Sequence, residues 1–213
     1  MEWLNNIFDW IMTVPETVVY GLSYVLMLLE STVIPVPSEF VVPPAAYRAA
    51  DGDLSIIIVW FLATLGADCG ATINYAAGYW LGRPIIYRFA NSHIGHLCLL
   101  NQEKVEKSER YFDEHGMVAT ITGRLVPGIR HLISIPAGLA RMNYWKFLLY
   151  TTIGAGAWNI ILAALGWWLY TIVPKDQLKE QISIYGDYIK YAIIILVIIA
   201  LVFLIIKKLI KKN

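Results

Sequence analysis

Two arginines lie where a guanidinium has no ordinary reason to be. The run Gly123-Arg124-Leu125-Val126-Pro127-Gly128-Ile129-Arg130-His131 sits inside an otherwise apolar stretch from Met117 to Ala140. A charged side chain at bilayer depth costs at least ~2.5–3.5 kcal/mol, so Arg124 and Arg130 are the first candidates for function. Pro127-Gly128 between them removes a backbone donor and permits unusual dihedrals, which breaks a helix. Broken backbone at membrane depth is tolerated only when buried in protein or lining a wet cavity. The stretch reads as the tip of a re-entrant hairpin holding two fixed positive charges. The chemistry that suits them is phosphate recognition, because arginine pairs with phosphate oxygens bidentately and stays protonated when desolvated.

A second stretch repeats this grammar with the opposite sign. Thr17–Leu29 is apolar but shorter than the ~20 residues of a spanning helix. It runs into Glu30, then Pro35-Val36-Pro37-Ser38-Glu39, then the apolar Phe40–Ala50. Glu30 and Glu39 are candidates for proton-coupled release of an anion held by the arginines. The alternative is two structural ion pairs that lock the hairpins together, since buried charges are often simply paired. Both can hold, because a phosphate can compete with the glutamates for the arginines.

The elements that must position these residues form one integral membrane domain over residues 1–213. Residues 1–16 alternate aromatic and polar groups and suit an interfacial amphipathic helix. A hairpin over 17–50 is followed by a span over 54–82, whose middle carries Gly66, Asp68, Gly70 and Asn74. Small residues there let helices approach closely, and the polar ones face the bundle. Asp68 is either a proton relay or a helix-packing hydrogen-bond partner. Residues 83–116 are a polar, cytoplasmic amphipathic region, with a helix over Gln102–Glu114 ended by His115-Gly116. The arginine hairpin fills 117–140. A span over 144–171 carries Gly154, Trp158 and Asn159, resembling the pattern at 66–74. A polar loop over 174–187 leads to a last span, 188–206, ending in Lys207, Lys208, Lys211 and Lys212. Hairpin plus span thus occurs twice, as in inverted-repeat transporters whose interrupted segments meet at the midplane. The lysine tail places the C-terminus in the cytoplasm. The expected fold is an all-α polytopic membrane protein with two opposed re-entrant hairpins. Pro37, Asp68, Asn74, Pro127, Gly128, Trp158 and Asn159 support the charged tips.

Composition agrees with a membrane class. Of 213 residues 58% are hydrophobic and only 15% charged, and mean hydropathy is +0.57. A net charge of +1 without a basic arm gives no reason to expect a nucleic-acid partner. Cys69 and Cys98 are too few for a disulfide framework, and His93-x-x-His96 near Cys98 lacks further metal ligands. The N-terminus has no positive n-region, so a cleaved signal peptide is not expected. The phosphate-loop, nucleophile-elbow and HExxH motifs are absent, so neither a cofactor nor an enzyme is expected.

At this point the chain resembles the bacterial DedA family, related to eukaryotic VTT-domain lipid scramblases, from about Tyr20 to Tyr170. The most specific match is G-R-x-x-P-G-x-R at Gly123, Arg124, Pro127, Gly128 and Arg130. Ala137-Gly138, Met142…Phe147 and Trp158 follow it, and Tyr75, Gly78 and Gly82 also fit. The family's acidic positions correspond to Glu30 and Glu39. The resemblance implies lipid movement across the cytoplasmic membrane, with undecaprenyl phosphate or phosphatidylethanolamine as cargo and protons as partner. Two arginines favour a phosphomonoester, whose head carries more negative charge than a zwitterion. Rival readings are a phospholipid scramblase, a proton-coupled cation exchanger, a lipid-phosphate phosphatase using His131 or Ser134, and a scaffold protein. A homo-oligomer stays open.

Overall fold

The structure is a computed structural model that describes residues 2–32, 36–90, 102–126, 130, 132–175 and 177–210; every regular element in it is helical. In chain order the helices are α1 (Glu2–Thr13), α2 (Glu16–Glu30), α3 (Val42–Ala50), α4 (Ile56–Ala90), α5 (Gln102–Leu125), α6 (Ser134–Leu139), α7 (Tyr144–Ile172) and α8 (Leu178–Ile210). A 3₁₀ turn over Ser38–Phe40 precedes α3. Ile56–Trp80 within α4, and α7, are each long and apolar enough to cross a membrane.

α4 and α7 pack on each other and form the centre. In hydrocarbon, helices associate by van der Waals contact, so small residues at the seam decide how closely they approach. A side chain at Gly66 would run into the Tyr24 carbonyl of α2, and one at Gly78 into the Ile135 carbonyl of α6. On α7, a Cβ at Gly154 would stand 2.7 Å from Arg124 Cβ of α5, and one at Gly166 would meet the Pro43 carbonyl of α3. Each central helix therefore holds α2 or α5 with its upstream glycine, and α6 or α3 with its downstream one.

The main buried cluster joins these helices through Val19, Val42, Ala46, Val59, Ala155 and Leu162. A second cluster seats α1 and the start of α8, with Phe8, Leu169, Leu178 and Ile182 in contact. Arg48 of α3 fastens the end of α1: Nη1 donates to the Ile11 carbonyl at 2.9 Å and the Val14 carbonyl at 2.7 Å. Those carbonyls belong to the last turn of α1 and its exit, where acceptors lack intrahelical partners.

Two helix breaks fall where the sequence places them, and one boundary differs. The helix end expected at His115-Gly116 is a break at His115 (φ −129, ψ 21), after which helix resumes within α5 to Leu125. The stop expected at Gly82-Arg83-Pro84 is a break at Gly82 (φ 62, ψ 169), after which helix resumes to Ala90. Proline is accommodated there because it falls in the first turn of the resumed helix, where its missing N–H is not needed. The loop expected over 174–187 is shorter, since α8 begins at Leu178. Lys179, Glu180 and Gln181 are good helix formers, and burial of Leu178 and Ile182 fixes that first turn.

Candidate anion site

Glu30 is the last residue of α2, and Glu39 lies in the 3₁₀ turn that Pro37 precedes. Arg124 is next to last in α5, held where Gly154 lets α7 come close. These four elements converge with Arg130 beside Trp158 and Asn159 of α7. Arg130 Nε stands 2.7 Å from Glu30 Oε1, and its Nη2 is 3.8 Å from Glu39 Oε2. No N–H points along the shorter line, so that contact is ionic rather than a directed hydrogen bond. The guanidinium carbon sits 4.8 Å from the centre of the Trp158 ring, whose Nε1–H donates to Ser38 Oγ at 3.1 Å. The indole thus carries the cation on its face and ties α7 to the acidic tip.

Arg124 is held differently. Its Nη2 donates to Ser134 Oγ at 2.9 Å, and among the described residues no carboxylate reaches ion-pair distance. Arg124 is 3% exposed and Arg130 8%. Arg124 Nε and Arg130 Nη1 are both buried without an acceptor among the described residues. Unpartnered buried donors are rare in folded proteins, and each calls for an explanation. Glu30, Ser31, Arg124, Arg130, Trp158 and Asn159 line one pocket of ≈ 10 Å³, about the room of a single water. As it stands the pocket is too small for a phosphate.

The supporting residues are placed around this pocket. Asn74 Nδ2 donates to the Ser31 carbonyl at 3.0 Å, just beyond Glu30, while Ser31 Oγ donates to Glu30 Oε2 at 3.2 Å. Asn159 Nδ2 donates to Thr64 Oγ1 at 3.1 Å, joining α7 to α4. Asp68 lies apart: its Oδ2 accepts from Thr152 Oγ1 at 2.7 Å, and its buried Oδ1 has no hydrogen-bond partner. Pro127, Gly128, His131, His93, His96 and Cys98 lie outside the described residues. Ser31, Ser38 and Thr64 border the site and were not legible, while Ser134 was named only as a hydroxyl that a phosphatase would use. Hydroxyls are ordinary in apolar helices, so composition alone gives no signal for them.

Comparison with known proteins adds three findings. A profile of the VTT domain matches residues 36–168, which contain Glu39, Arg124, Arg130 and Trp158. The chain is 34% identical over 188 residues to the uncharacterized membrane protein YkoX of Bacillus subtilis (strain 168), covering 88% of this chain and 80% of that one. It is 28% identical over 173 residues to the undecaprenyl phosphate transporter A of the same strain, covering 81% and 82%. It is also 34% identical over 147 residues to a Lactococcus lactis subsp. cremoris (strain MG1363) protein called alkaline phosphatase-like, covering 69% and 68%. No solved structure matches the chain.

Proposed function

The chain belongs to the VTT-domain (DedA) family of membrane proteins, and from that premise we propose that it moves a lipid phosphate, undecaprenyl phosphate first, across the bacterial cytoplasmic membrane. One observation carries the reading: two arginines share a buried pocket, and each has an N–H without an acceptor among the described residues. Those two donors suit the oxygens of a phosphomonoester. The printed name of the Bacillus relative supports the cargo.

In this reading Arg124 is the standing anion receptor and Arg130 the conditional one. Glu30 and Glu39 hold Arg130 while ionised. When they bind protons, Arg130 turns to the phosphate; when they release them, the ion pair re-forms and the phosphate leaves. The acidic tip re-enters from outside and the basic tip from the cytoplasm, in an inverted repeat with a cytoplasmic C-terminus. The crossed packing of α4 and α7 on α2, α3, α5 and α6 supports the inverted repeat, and the sidedness rests on the lysine tail. Only the head needs the protein, while the polyprenyl tail stays in lipid.

The test is translocation of undecaprenyl phosphate in proteoliposomes, comparing wild type with Arg130→Ala. Exchange in the wild type and none in the variant supports the reading. Equal rates leave the arginine as scaffold. Release of inorganic phosphate would replace transport with hydrolysis, for which Ser134, beside Arg124, is the nearest hydroxyl.

A further inference from the structure

Arg141 occupies a backbone position that favours glycine. It follows α6 at φ 50, and among the described residues it is the sole non-glycine residue with positive φ. Its N–H donates to the Gly138 carbonyl and that of Met142 to the Ala137 carbonyl, the paired bonds of a Schellman helix end. The left-handed slot of that motif strains any L side chain, and glycine fills it without cost. A strained residue that persists is a pointer from structure to function.

The Arg141 side chain opens onto a pocket of ≈ 410 Å³ whose lining includes Thr72, Tyr75, Tyr79, Trp80 and Tyr144. Its guanidinium carbon lies 5.5 Å from the centre of the Tyr79 ring. Among the described residues no carboxylate reaches it. Tyr144 Oη and Thr72 Oγ1 stand 3.2 Å apart, and the Tyr75 hydroxyl donates to the Met142 carbonyl, tying the turn to α4. Trp80 is 81% exposed and Trp145 73%. Exposed tryptophans at one end of a membrane helix mark the headgroup level of the bilayer.

We propose that this pocket binds the headgroup phosphate of an anionic phospholipid, as a resident site separate from Arg124 and Arg130. Basic pockets between membrane helices at the interface hold such headgroups. Arg141 supplies the charge-assisted donor, Tyr144 can turn its hydroxyl from Thr72 to the phosphate while Thr72 keeps its own bond to the Asp68 carbonyl at 2.8 Å, and the aromatic rings flank the glycerol and upper chains. The volume falls in the range of small-ligand sites. The proposal rests on membrane embedding and not on any transported cargo.

The experiment uses the full chain, purified and stripped of lipid, with bound lipids counted by native mass spectrometry. Phosphatidylglycerol and phosphatidylcholine of identical chains are titrated into wild type, Arg141→Gly and Arg141→Lys. The wild type is expected to hold one phosphatidylglycerol about tenfold tighter than phosphatidylcholine, because the choline cation offsets the charge of the same phosphate and stands against the Arg141 guanidinium. Arg141→Gly fits the backbone better and is expected to melt no lower than wild type in phosphatidylcholine, yet to lose that preference. Arg141→Lys is expected to keep part of it. A glycine variant that retains the preference, or a wild type that shows none, overturns the proposal. Displacement of the lipid by millimolar glycerol 3-phosphate would make this a site for soluble phosphate and overturn the lipid assignment.

Discussion

Gly66 and Gly78 on α4 have the same separation as Gly154 and Gly166 on α7, and each pair clasps one helix of the α2–α3 segment and one of the α5–α6 segment. The buried faces correspond too: Val59, Ala63 and Ala67 on α4 stand in the same relation to Gly66 as Phe147, Thr151 and Ala155 do to Gly154. The chemistry does not correspond. α4 contributes Asp68 and Asn74, whereas α7 contributes Trp158 and Asn159. The tips differ further, with Glu30 and Glu39 on one and Arg124 and Arg130 on the other. Close packing needs only small residues at fixed intervals, so it can be the same twice. Recognition of an anion needs one sign of charge, so it cannot.

The largest effect expected is at the point where the two unlike tips meet. Arg130→Ala should abolish translocation and lower unfolding stability by about 3–5 kcal/mol, because Glu30 is left buried and uncompensated. Arg124→Ala should abolish translocation with a clearly smaller loss of stability, since its partner is a hydroxyl. Melting curves beside transport rates would show it, and equal melting losses would erase the distinction between the arginines. The likeness of the scaffold is tested by Gly78→Val and Gly166→Val. Each forces a side chain against a carbonyl and should cost about 1–3 kcal/mol, read as matching drops in denaturation midpoint. One silent variant would break the equivalence of the central helices. Next in size, Trp158→Phe should keep the ring under Arg130 but lose the bond to Ser38, at about 1 kcal/mol. Smallest is Glu39→Gln, expected within about 1 kcal/mol because its contact with Arg130 is long and partly exposed. The pH profile is its informative readout: Glu30→Gln should flatten the pH dependence of translocation more than Glu39→Gln does. The reverse order would move proton coupling to the outer glutamate.

The charged residues of the site were legible because their surroundings are apolar. A glutamate or arginine among aliphatic side chains is conspicuous in any sequence. Ser31, Ser38 and Thr152 carry no such contrast, and their importance appears only when folding sets them against a carboxylate or the Trp158 indole. The strain at Arg141 was not legible, since φ there depends on the helix end that Gly138 and Met142 build around it. The start of α8 was misplaced for a related reason. Lys179 and Glu180 suggest solvent, but solvent exposure does not prevent a helix, and Leu178 and Ile182 find partners on α1 and α7. The family was legible from the arginine motif, since a G-R-x-x-P-G-x-R run combines charge with broken backbone in a way few sequences do.

The tight pocket between the arginines has an electrical consequence. An energised membrane stores about 2.3 kcal/mol for each elementary charge per 100 mV, and a continuous file of water across it would dissipate that store. With room for about one water between Glu30, Arg124 and Arg130, this closed pocket offers such a file no path through it. Under the proposed function a greasy tail would stay in the surrounding lipid while that seal holds. Only the passage of a head group would interrupt it, carrying its own charge into the gap.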